Sequence, residues 1–252
     1  MKIGCLVSVR EKSKRYPGKV LLDVCGEPLI LQLLRRIDKA KEIDAVIMST
    51  STHADDNILA EIAEKNSFLV YRGSELDKID RYYESAVKYD LDAVIIADGD
   101  DFFSFPEAID ITAKELKKNE YDCVSITGLP LGAVSPGATK NALKKVLELK
   151  DEVDTEVWAR YITESDFFST KRMTVENNLW NHPEIRLTLD YKEDYEFLTK
   201  VLSELGNNLD FTSDNLMDLL VNKKPELNEI NAKVQQLYEE HITKAASVKF
   251  KK

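Results

Sequence analysis

The most constraining feature of this 252-residue sequence is the regular alternation of short apolar runs with longer amphipathic segments. The runs are rich in β-branched residues, and each has the length of one buried strand. They span residues 3–9, 45–49, 68–71, 93–97, 123–126 and 185–189. Strands that alternate with helices favour βαβ units, because parallel neighbours need a crossover between them. The pattern therefore predicts an α/β fold with a mostly parallel central sheet that helices cover on both faces.

One region interrupts this rhythm. Glycine and proline cluster between residues 128 and 137, and the sequence stays irregular and charged to about residue 182. Because such residues mark turns and loops, we interpret 128–182 as an insertion that shapes a substrate pocket or a dimer contact. It lies within a single domain that spans residues 1–252. Beyond residue 190 we expect helices, with a helical C-terminal extension at about 207–245 and a last stretch, 246–252, that frays.

Composition excludes several classes of protein and of partner. The 45 acidic residues outnumber the 35 lysines and arginines, and no basic block of nucleic-acid-binding length is present, so no nucleic acid is expected as a partner. No run reaches the ~18 apolar residues of a membrane span, and the apolar run at the N-terminus is too short for a secretory signal. The three cysteines are too few and too scattered for a disulfide framework or a zinc site. We expect a soluble, cytoplasmic protein with no membrane partner.

A loop of unusual charge follows the first predicted strand. Residues 10–19 carry five cations and one anion in a chain whose net charge is −10. Open α/β sheets bind ligands beyond the carboxyl ends of their strands, so this loop favours a polyanionic ligand such as a phosphate chain. Neither a G-x-x-x-x-G-K-[ST] nor a G-x-G-x-x-G motif follows the strand, which argues against P-loop hydrolysis and dinucleotide redox chemistry. The alternative is a solvated basic loop without a ligand.

Acidic residues follow two other predicted strands. The segment 98–101 reads Asp-Gly-Asp-Asp directly after the run 93–97, and Asp190 follows the run 185–189. Carboxylates at strand ends supply the hard oxygen ligands that Mg²⁺ prefers. Asp100 and Asp190 could therefore face each other in a two-carboxylate metal site opposite the cationic loop. The alternatives are an acidic turn at 98–101 and a helix cap at Asp190, with Glu193 completing a capping box.

Several segments, taken in order, resemble the cytidylyltransferase family. They are Arg10-x-x-Ser13-x-Arg15-x-Pro17-Gly18-Lys19, Gly26-Glu27-Pro28-Leu29, Arg72-Gly73-Ser74, Asp80-Arg81-Tyr82-Tyr83, Gly99-Asp100-Asp101 and Arg186-Leu187-Thr188-Leu189-Asp190 with Glu193-Asp194. The likeness is greatest to the spore coat polysaccharide biosynthesis protein F group, with the CMP-sialic acid and CMP-Kdo synthetases as more distant relatives. It implies a three-layer α/β/α nucleotidyltransferase fold of the glycosyltransferase-A-like kind. The implied reaction joins a nucleoside triphosphate, most often CTP, to a sugar or acidic sugar and releases pyrophosphate.

The resemblance also implies roles for individual residues. Catalysis falls to Lys19, Arg10 and Arg15; nucleotide binding to Ser13, Gly18, Arg72, Asp80 and Arg81; substrate binding to Asp154 and Glu156; and Mg²⁺ binding to Asp100 and Asp190. A homodimer formed through the region 128–182 is expected as well. The chain departs from the family at Phe102, where relatives usually have proline, and at Asp98, an added carboxylate.

Other functions compete with this one. A guanylyltransferase would use GTP with a sugar phosphate instead of CTP. A metal-dependent glycosyltransferase is suggested by the Asp-x-Asp at 98–100, although such an enzyme has no evident need for three cations in the first loop. An inactive nucleotide-binding scaffold would keep the fold without the chemistry. For an acidic acceptor, the available cations in the inserted region are Lys140, Arg160, Lys171 and Arg172.

Overall fold

A computed structural model describes residues 1–13, 15–243 and 248–251. The strands are β1 Ile3–Ser8, β2 Asp23–Val24, β3 Glu27–Pro28, β4 Ala45–Ser51, β5 Leu69–Gly73, β6 Ala93–Asp98, β7 Cys123–Thr127, β8 Gly137–Thr139 and β9 Thr170–Thr174. The α-helices are α1 Leu29–Ile37, α2 Asn57–Lys65, α3 Lys78–Lys88, α4 Pro106–Lys117, α5 Lys140–Leu149, α6 Arg160–Thr163, α7 Lys192–Glu204, α8 Ser213–Asp218 and α9 Val234–Thr243. Short 3₁₀ turns lie at Lys19–Leu21, Ala54–Asp56 and Pro225–Glu229, and a π-helical turn lies at Leu219–Lys223.

In the described part of the chain, the central sheet has seven strands in the order β5-β4-β1-β6-β8-β7-β9. The pairs β5–β4, β4–β1, β1–β6 and β7–β9 are parallel, whereas β8 runs antiparallel to both of its neighbours. The predicted α/β class with a mostly parallel sheet is confirmed. From β1 the chain builds outward to β4 and β5 on one side, and β6 is added on the other. The carboxyl ends of β1 and β6 therefore flank the point where ligands bind in such sheets.

Helices cover both faces of this sheet because its central strands are buried on both sides. In β1, Cys5 and Val7 pack with residues of α1, α2 and α4, while Leu6 points to the opposite face and packs with residues of α3, α5 and α6. Successive residues of a strand point to opposite faces, so one uniformly apolar strand supplies two cores. The result is a three-layer α/β/α arrangement. Among the described residues, no helix combines the length and the apolar composition needed to cross a bilayer.

Of the six predicted strands, the one at 185–189 is wrong. This segment is buried and extended, but among the described residues it makes a single bridge, between Leu131 and Arg186. Its apolar side chains fill a core between the sheet and α7, so burial and not strand pairing explains its composition. The sequence pattern missed β8 and β9, which are short or exposed and polar.

The region 128–182 supplies β8, α5, α6 and β9, so two strands of the central sheet come from it. The C-terminal extension contains α8 and α9, and its residues 244–245 lie outside the described part of the chain. The expected fraying is wrong for residues 248–251, because Phe250 pairs with Lys150 and its ring lies 5.8 Å from that of Tyr161. Residues 246–247 and 252 lie outside the described residues.

Candidate active site

The ends of β1 and β6 bring the cationic loop and the acidic segment together. Ser8 of β1 pairs directly with Asp98 of β6, and the Gly99 amide donates to the Ser8 carbonyl at 2.8 Å. A Cβ atom at Gly99 would lie 2.5 Å from the Cβ of Val9, so the close approach of the two chains requires glycine there. The chain can thus turn immediately after β6, which places Asp100 and Asp101 beside the loop after β1.

Lys19 lies at the centre of the candidate site. Its side chain is buried, and its ammonium donates to Asp100 Oδ2, to Asp190 Oδ1 at 2.9 Å and to the Leu189 carbonyl at 2.6 Å. Burial by itself would lower the pKa of Lys19, but Asp100 and Asp190 outweigh it and raise that pKa above its usual value. The lysine is therefore a fixed cation between the two predicted metal ligands.

Asp190 is buried among three cations. Besides Lys19, its carboxylate accepts hydrogen bonds from Arg15 and, at 3.1 Å, from Arg186. Burial would raise its pKa, yet the three cations together hold the pKa of Asp190 below its usual value. The alternative that Asp190 caps α7 with Glu193 is wrong, because the N-cap is Tyr191 and its amide donates to the carboxylate of Asp194 at 3.0 Å. The Asp190 side chain is thus directed into the site.

The other carboxylates of the acidic segment lie apart from this centre. Asp98 Oδ1 is 3.7 Å from the ammonium of Lys78, a different lysine from the one that holds Asp100. The Asp-x-Asp at 98–100 therefore directs its two carboxylates to separate cations. Asp101 is buried, and burial together with the charges of Asp100 and Asp98 raises its pKa well above the usual value. The Asp101 amide donates to the Asp98 carbonyl at 3.1 Å, so the segment is also a turn.

The remaining residues of the cationic loop are spread along the site. Arg10 donates to the Glu75 carbonyl at 3.0 Å and lies 3.4 Å from the carboxylate of Glu156, away from Asp190. Ser13 Oγ accepts from the Tyr16 amide at 3.3 Å and so fixes the loop, and Gly18 (φ +72°) precedes the turn at Lys19–Leu21. Lys14, one of the five cations, lies outside the described residues.

The predicted nucleotide-binding residues of β5 and α3 differ in their surroundings. Arg72 donates to the Ser51 and His53 carbonyls at 2.9 and 2.8 Å, so it fastens β5 to the end of β4. Arg81 is 0% exposed and donates to Ser8 Oγ at 3.1 Å, which places it beneath the end of β1. Asp80 is half-buried on the first turn of α3, and burial, followed by the charge of Asp77, raises its pKa.

The predicted substrate-binding residues lie on the segment between α5 and α6. Asp154 Oδ1 accepts from the Glu156 amide at 3.1 Å, so Asp154 shapes the turn that carries Glu156. The Glu156 carboxylate contacts Arg10 and, at 2.8 Å, Lys78. Sequence reasoning missed Lys78, because nothing in the pattern separates this lysine from its solvated neighbours.

The C-terminal extension also reaches the site. Gln235 accepts from Arg186 at 3.2 Å, and the ring centre of Tyr238 lies 5.0 Å from the Arg186 guanidinium. Asn231 donates to Asp194 at 3.0 Å, and Arg186 donates to that same carboxylate at 2.8 Å. These three residues were missed, although their spacing of i, i+4 and i+7 is that of one helix face.

Comparison with known proteins identifies the family. The model for the family described as "Cytidylyltransferase" matches residues 4–240, which include the whole site. The chain belongs to the cytidylyltransferase family. The resemblance found in the sequence is thereby confirmed.

Several relatives cover nearly the full length of this cytidylyltransferase-family chain. Uncharacterized protein MJ1063 of Methanocaldococcus jannaschii is 32% identical over 241 residues, which cover 94% of this chain and 97% of that protein. The spore coat polysaccharide biosynthesis protein SpsF of Bacillus subtilis is 28% identical over 228 residues, or 88% and 94%. A solved structure of a cytidylyltransferase from Leptospira borgpetersenii is 25% identical and superposes with a TM-score of 0.81 over 90% of this chain and 96% of that one.

The geometry of this cytidylyltransferase-family site suits a small divalent cation. Oxygen atoms of Asp100, Asp190 and Leu189 converge on one cationic group, the ammonium of Lys19. Mg²⁺ commonly takes one or two carboxylates and completes its shell with water and phosphate oxygens. Asp100 and Asp190 therefore fit as its protein ligands. In the described parts of the chain, no group of three or more histidine, cysteine or acidic side chains is placed to hold a metal.

Proposed function

We propose that this protein is a Mg²⁺-dependent cytidylyltransferase that transfers CMP from CTP to a sugar or acidic sugar and releases pyrophosphate. The observation that carries the proposal is the convergence of Lys19, Asp100 and Asp190 beside the carboxyl ends of β1 and β6. Family membership supports a nucleotidyltransferase, and the name of the SpsF relative supports a role in surface polysaccharide biosynthesis. CTP is favoured over GTP by the family, and a homodimer through 128–182 is part of the proposal.

The proposed reaction is an in-line displacement at the α-phosphorus of CTP. An oxygen of the sugar forms a new bond to that phosphorus, its proton passes to solvent, and the bond to the β-phosphate oxygen breaks, so pyrophosphate leaves with the electron pair. Catalysis of this kind depends mainly on positioning and on charge stabilisation. Lys19 would neutralise charge on the α-phosphate, while Arg10 and Arg15 would hold the departing pyrophosphate.

The carboxylates have a separate task in this proposal. Asp100 and Asp190 would hold Mg²⁺, which when bound supplies positive charge to the phosphates and makes the incoming hydroxyl more acidic. Lys19 and Arg15 already lie against these carboxylates, and Arg186 fixes Asp190 from the far side. The same cations are thus in place to exchange carboxylate partners for phosphate oxygens.

A thermal-shift panel with CTP, GTP, UTP and ATP, each with and without Mg²⁺, tests the nucleotide. A triphosphate at ~100 times its Kd stabilises a chain of this size by about 2.7 kcal/mol, or roughly 5–10 °C in Tm. We expect a Mg²⁺-dependent shift that is largest with CTP. No shift with any of the four would refute the proposal, and a shift with GTP alone would move the assignment to a guanylyltransferase.

Pyrophosphate release by an Asp190→Asn variant tests the chemistry. We expect turnover to be abolished, with Asp210→Asn as the matched control because Asp210 is an exposed carboxylate paired with a surface lysine. Circular dichroism verifies that both variants fold. Normal turnover by Asp190→Asn in limiting Mg²⁺ would show that this carboxylate is not a metal ligand.

A further inference from the structure

Lys78 is a largely buried cation that the proposed mechanism does not use. It is the first residue of α3, and only 11% of its side chain is exposed. Its ammonium lies 2.8 Å from Glu156 Oε1 and 3.7 Å from Asp98 Oδ1. Burial by itself would lower the pKa of Lys78, but Asp98 and Glu156 raise it, so this lysine stays charged. A charge held this deep is costly without anionic partners.

The partner that Lys78 shares with Arg10 is a single carboxylate. Glu156 Oε1 accepts from Lys78, and Glu156 Oε2 lies 3.4 Å from Arg10. The two cations come from different parts of the fold, the loop after β1 and the start of α3. They nevertheless converge on one pair of oxygens, as they would on two oxygens of a phosphate or of a ligand carboxylate.

Thr155 holds Lys78 and Glu156 in place relative to each other. It is fully buried, and its hydroxyl donates to Asp77 at 3.0 Å and accepts from the Ile79 amide at 3.1 Å. Asp77 and Ile79 flank Lys78 in the chain, so Thr155 fixes both the lysine and the adjacent Glu156. The position of the Glu156 backbone is thus determined by the fold.

The partners of this cluster differ in how freely they can move. The Glu156 side chain is 53% exposed, so it can turn into solvent, whereas the Lys78 side chain is only 11% exposed and is held in place. An arriving anion could therefore take the place of Glu156 between the two cations. Since water screens an exposed carboxylate, the exchange costs little on the glutamate side.

We propose that Arg10 and Lys78 form a subsite for a substrate oxyanion, either a phosphate or a carboxylate, and that Glu156 holds this subsite until the substrate arrives. The inference rests on the proposed function, because the oxyanion belongs to one of the two substrates of that reaction. Its source is either the triphosphate end of the nucleotide or an anionic group of the acceptor. Lys78, which the sequence did not single out, then binds this oxyanion together with Arg10.

Calorimetric titration of the full chain tests the subsite with two probes. Inorganic pyrophosphate added to the free protein reports on the triphosphate end, and inorganic phosphate added to the CTP-saturated protein reports on the acceptor position. We expect Lys78→Gln to weaken binding of one probe by about tenfold or more, since a hydrogen bond between charged groups is lost. We expect Glu156→Gln to tighten binding of the same probe by about threefold or more, since a competing anion is removed.

Affinity changes of opposite sign in Lys78→Gln and Glu156→Gln distinguish a binding role from a purely structural one. Weaker binding in both variants, or no change in either, would overturn the subsite, as would a wild-type chain that binds neither probe. Lys78→Arg keeps the charge and should bind as the wild type does, so a folding defect in Lys78→Gln does not decide the result. The matched controls are Lys65→Gln and Glu61→Gln, an exposed ion pair on α2 whose loss should leave both affinities unchanged. If pyrophosphate binding depends on Lys78 in a chain that binds no CTP, the proposed function fails and the subsite stands.

Discussion

Gly132 offers a sharp test of how the Asp190 segment is held. Its φ is +95°, and a Cβ atom there would lie 2.6 Å from the Thr188 amide nitrogen and 2.8 Å from the Leu187 carbonyl carbon. These are backbone atoms of the segment that ends at Asp190. The substitution Gly132→Ala must therefore displace either its own loop or the chain that carries the candidate metal ligand.

Gly26 provides the matched control for this change. Its φ is +91°, so Gly26→Ala introduces nearly the same backbone strain, of about 1–3 kcal/mol, but nothing lies within 4 Å of the added Cβ. The strain and the change in unfolded-state entropy are common to both variants and cancel in the comparison. The difference between the two variants is therefore the steric clash in Gly132→Ala. Overpacking of this kind lowers the free energy of unfolding by about 1–3 kcal/mol, or the Tm by roughly 2–12 °C.

Thermal unfolding and pyrophosphate release are the two measurements. We expect the Tm of Gly132→Ala to be lower than that of Gly26→Ala by that margin. We also expect Gly132→Ala to lose most of its turnover, because Asp190 moves with Thr188. Gly26→Ala should keep its turnover, since it lies in the turn between β2 and β3. Equal melting temperatures with unchanged turnover in both variants would refute the close packing inferred at Gly132.

Three further outcomes follow from the buried charges and thiols. Arg186→Met leaves the carboxylates of Asp190 and Asp194 without their shared partner, so urea unfolding should show a free energy of unfolding lower by about 3–5 kcal/mol. The control Arg35→Met, at an exposed ion pair, should lower it by about 0–1 kcal/mol, and equal losses would contradict the network. Burial would raise the pKa of Asp190, but its cationic neighbours lower it. The contribution of Asp190 to stability is therefore complete above its unfolded-state pKa of about 3.9 and is lost as the pH falls through the lower folded value. Urea midpoints measured without Mg²⁺ should fall less with acid in Asp190→Asn than in the wild type, and identical curves would refute this. Iodoacetamide at pH 8 should label Cys25 alone by mass spectrometry, since burial raises the pKa of the other two thiols to about 12, and labelling of all three in the folded protein would contradict their burial.

The sequence predicted the sheet well where strands are buried on both faces. β1 and β6 read as continuous apolar runs because each supplies two cores, and the segments after them bear the charged residues of the site. The pattern failed at 185–189, since a buried extended segment and a central strand have the same composition. Only hydrogen-bond partners separate the two, and here the backbone bonds to other segments go to Leu131 and Asp100, neither of which belongs to a strand of the sheet. β9 escaped notice because an exposed edge strand needs no apolar run.

Some residues of the candidate site were predicted from the sequence, and others were found only in the structure. Asp100 and Asp190 stood out because each follows a predicted strand end, and Lys19 stood out as a member of the cationic loop after the first predicted strand. Arg186 was visible only as part of a motif, and the structure adds that it bonds both Asp190 and Asp194. The face of the C-terminal extension that contacts it lies more than forty residues further along the chain, and sequence spacing alone does not indicate such a contact.

The sequence by itself determined the family, the α/β class and the edge of the sheet at which cations and carboxylates meet, because motif residues and hydrophobic periodicity are local properties. The tertiary structure alone decided which of these charges are buried and which oppose one another. Lys78 and Lys65 are the same residue type on helices that follow each other in the chain, yet one is 11% exposed between two carboxylates and the other is 74% exposed. The cost of removing a charge from water depends on everything packed around it, and that environment exists only once distant segments have come together.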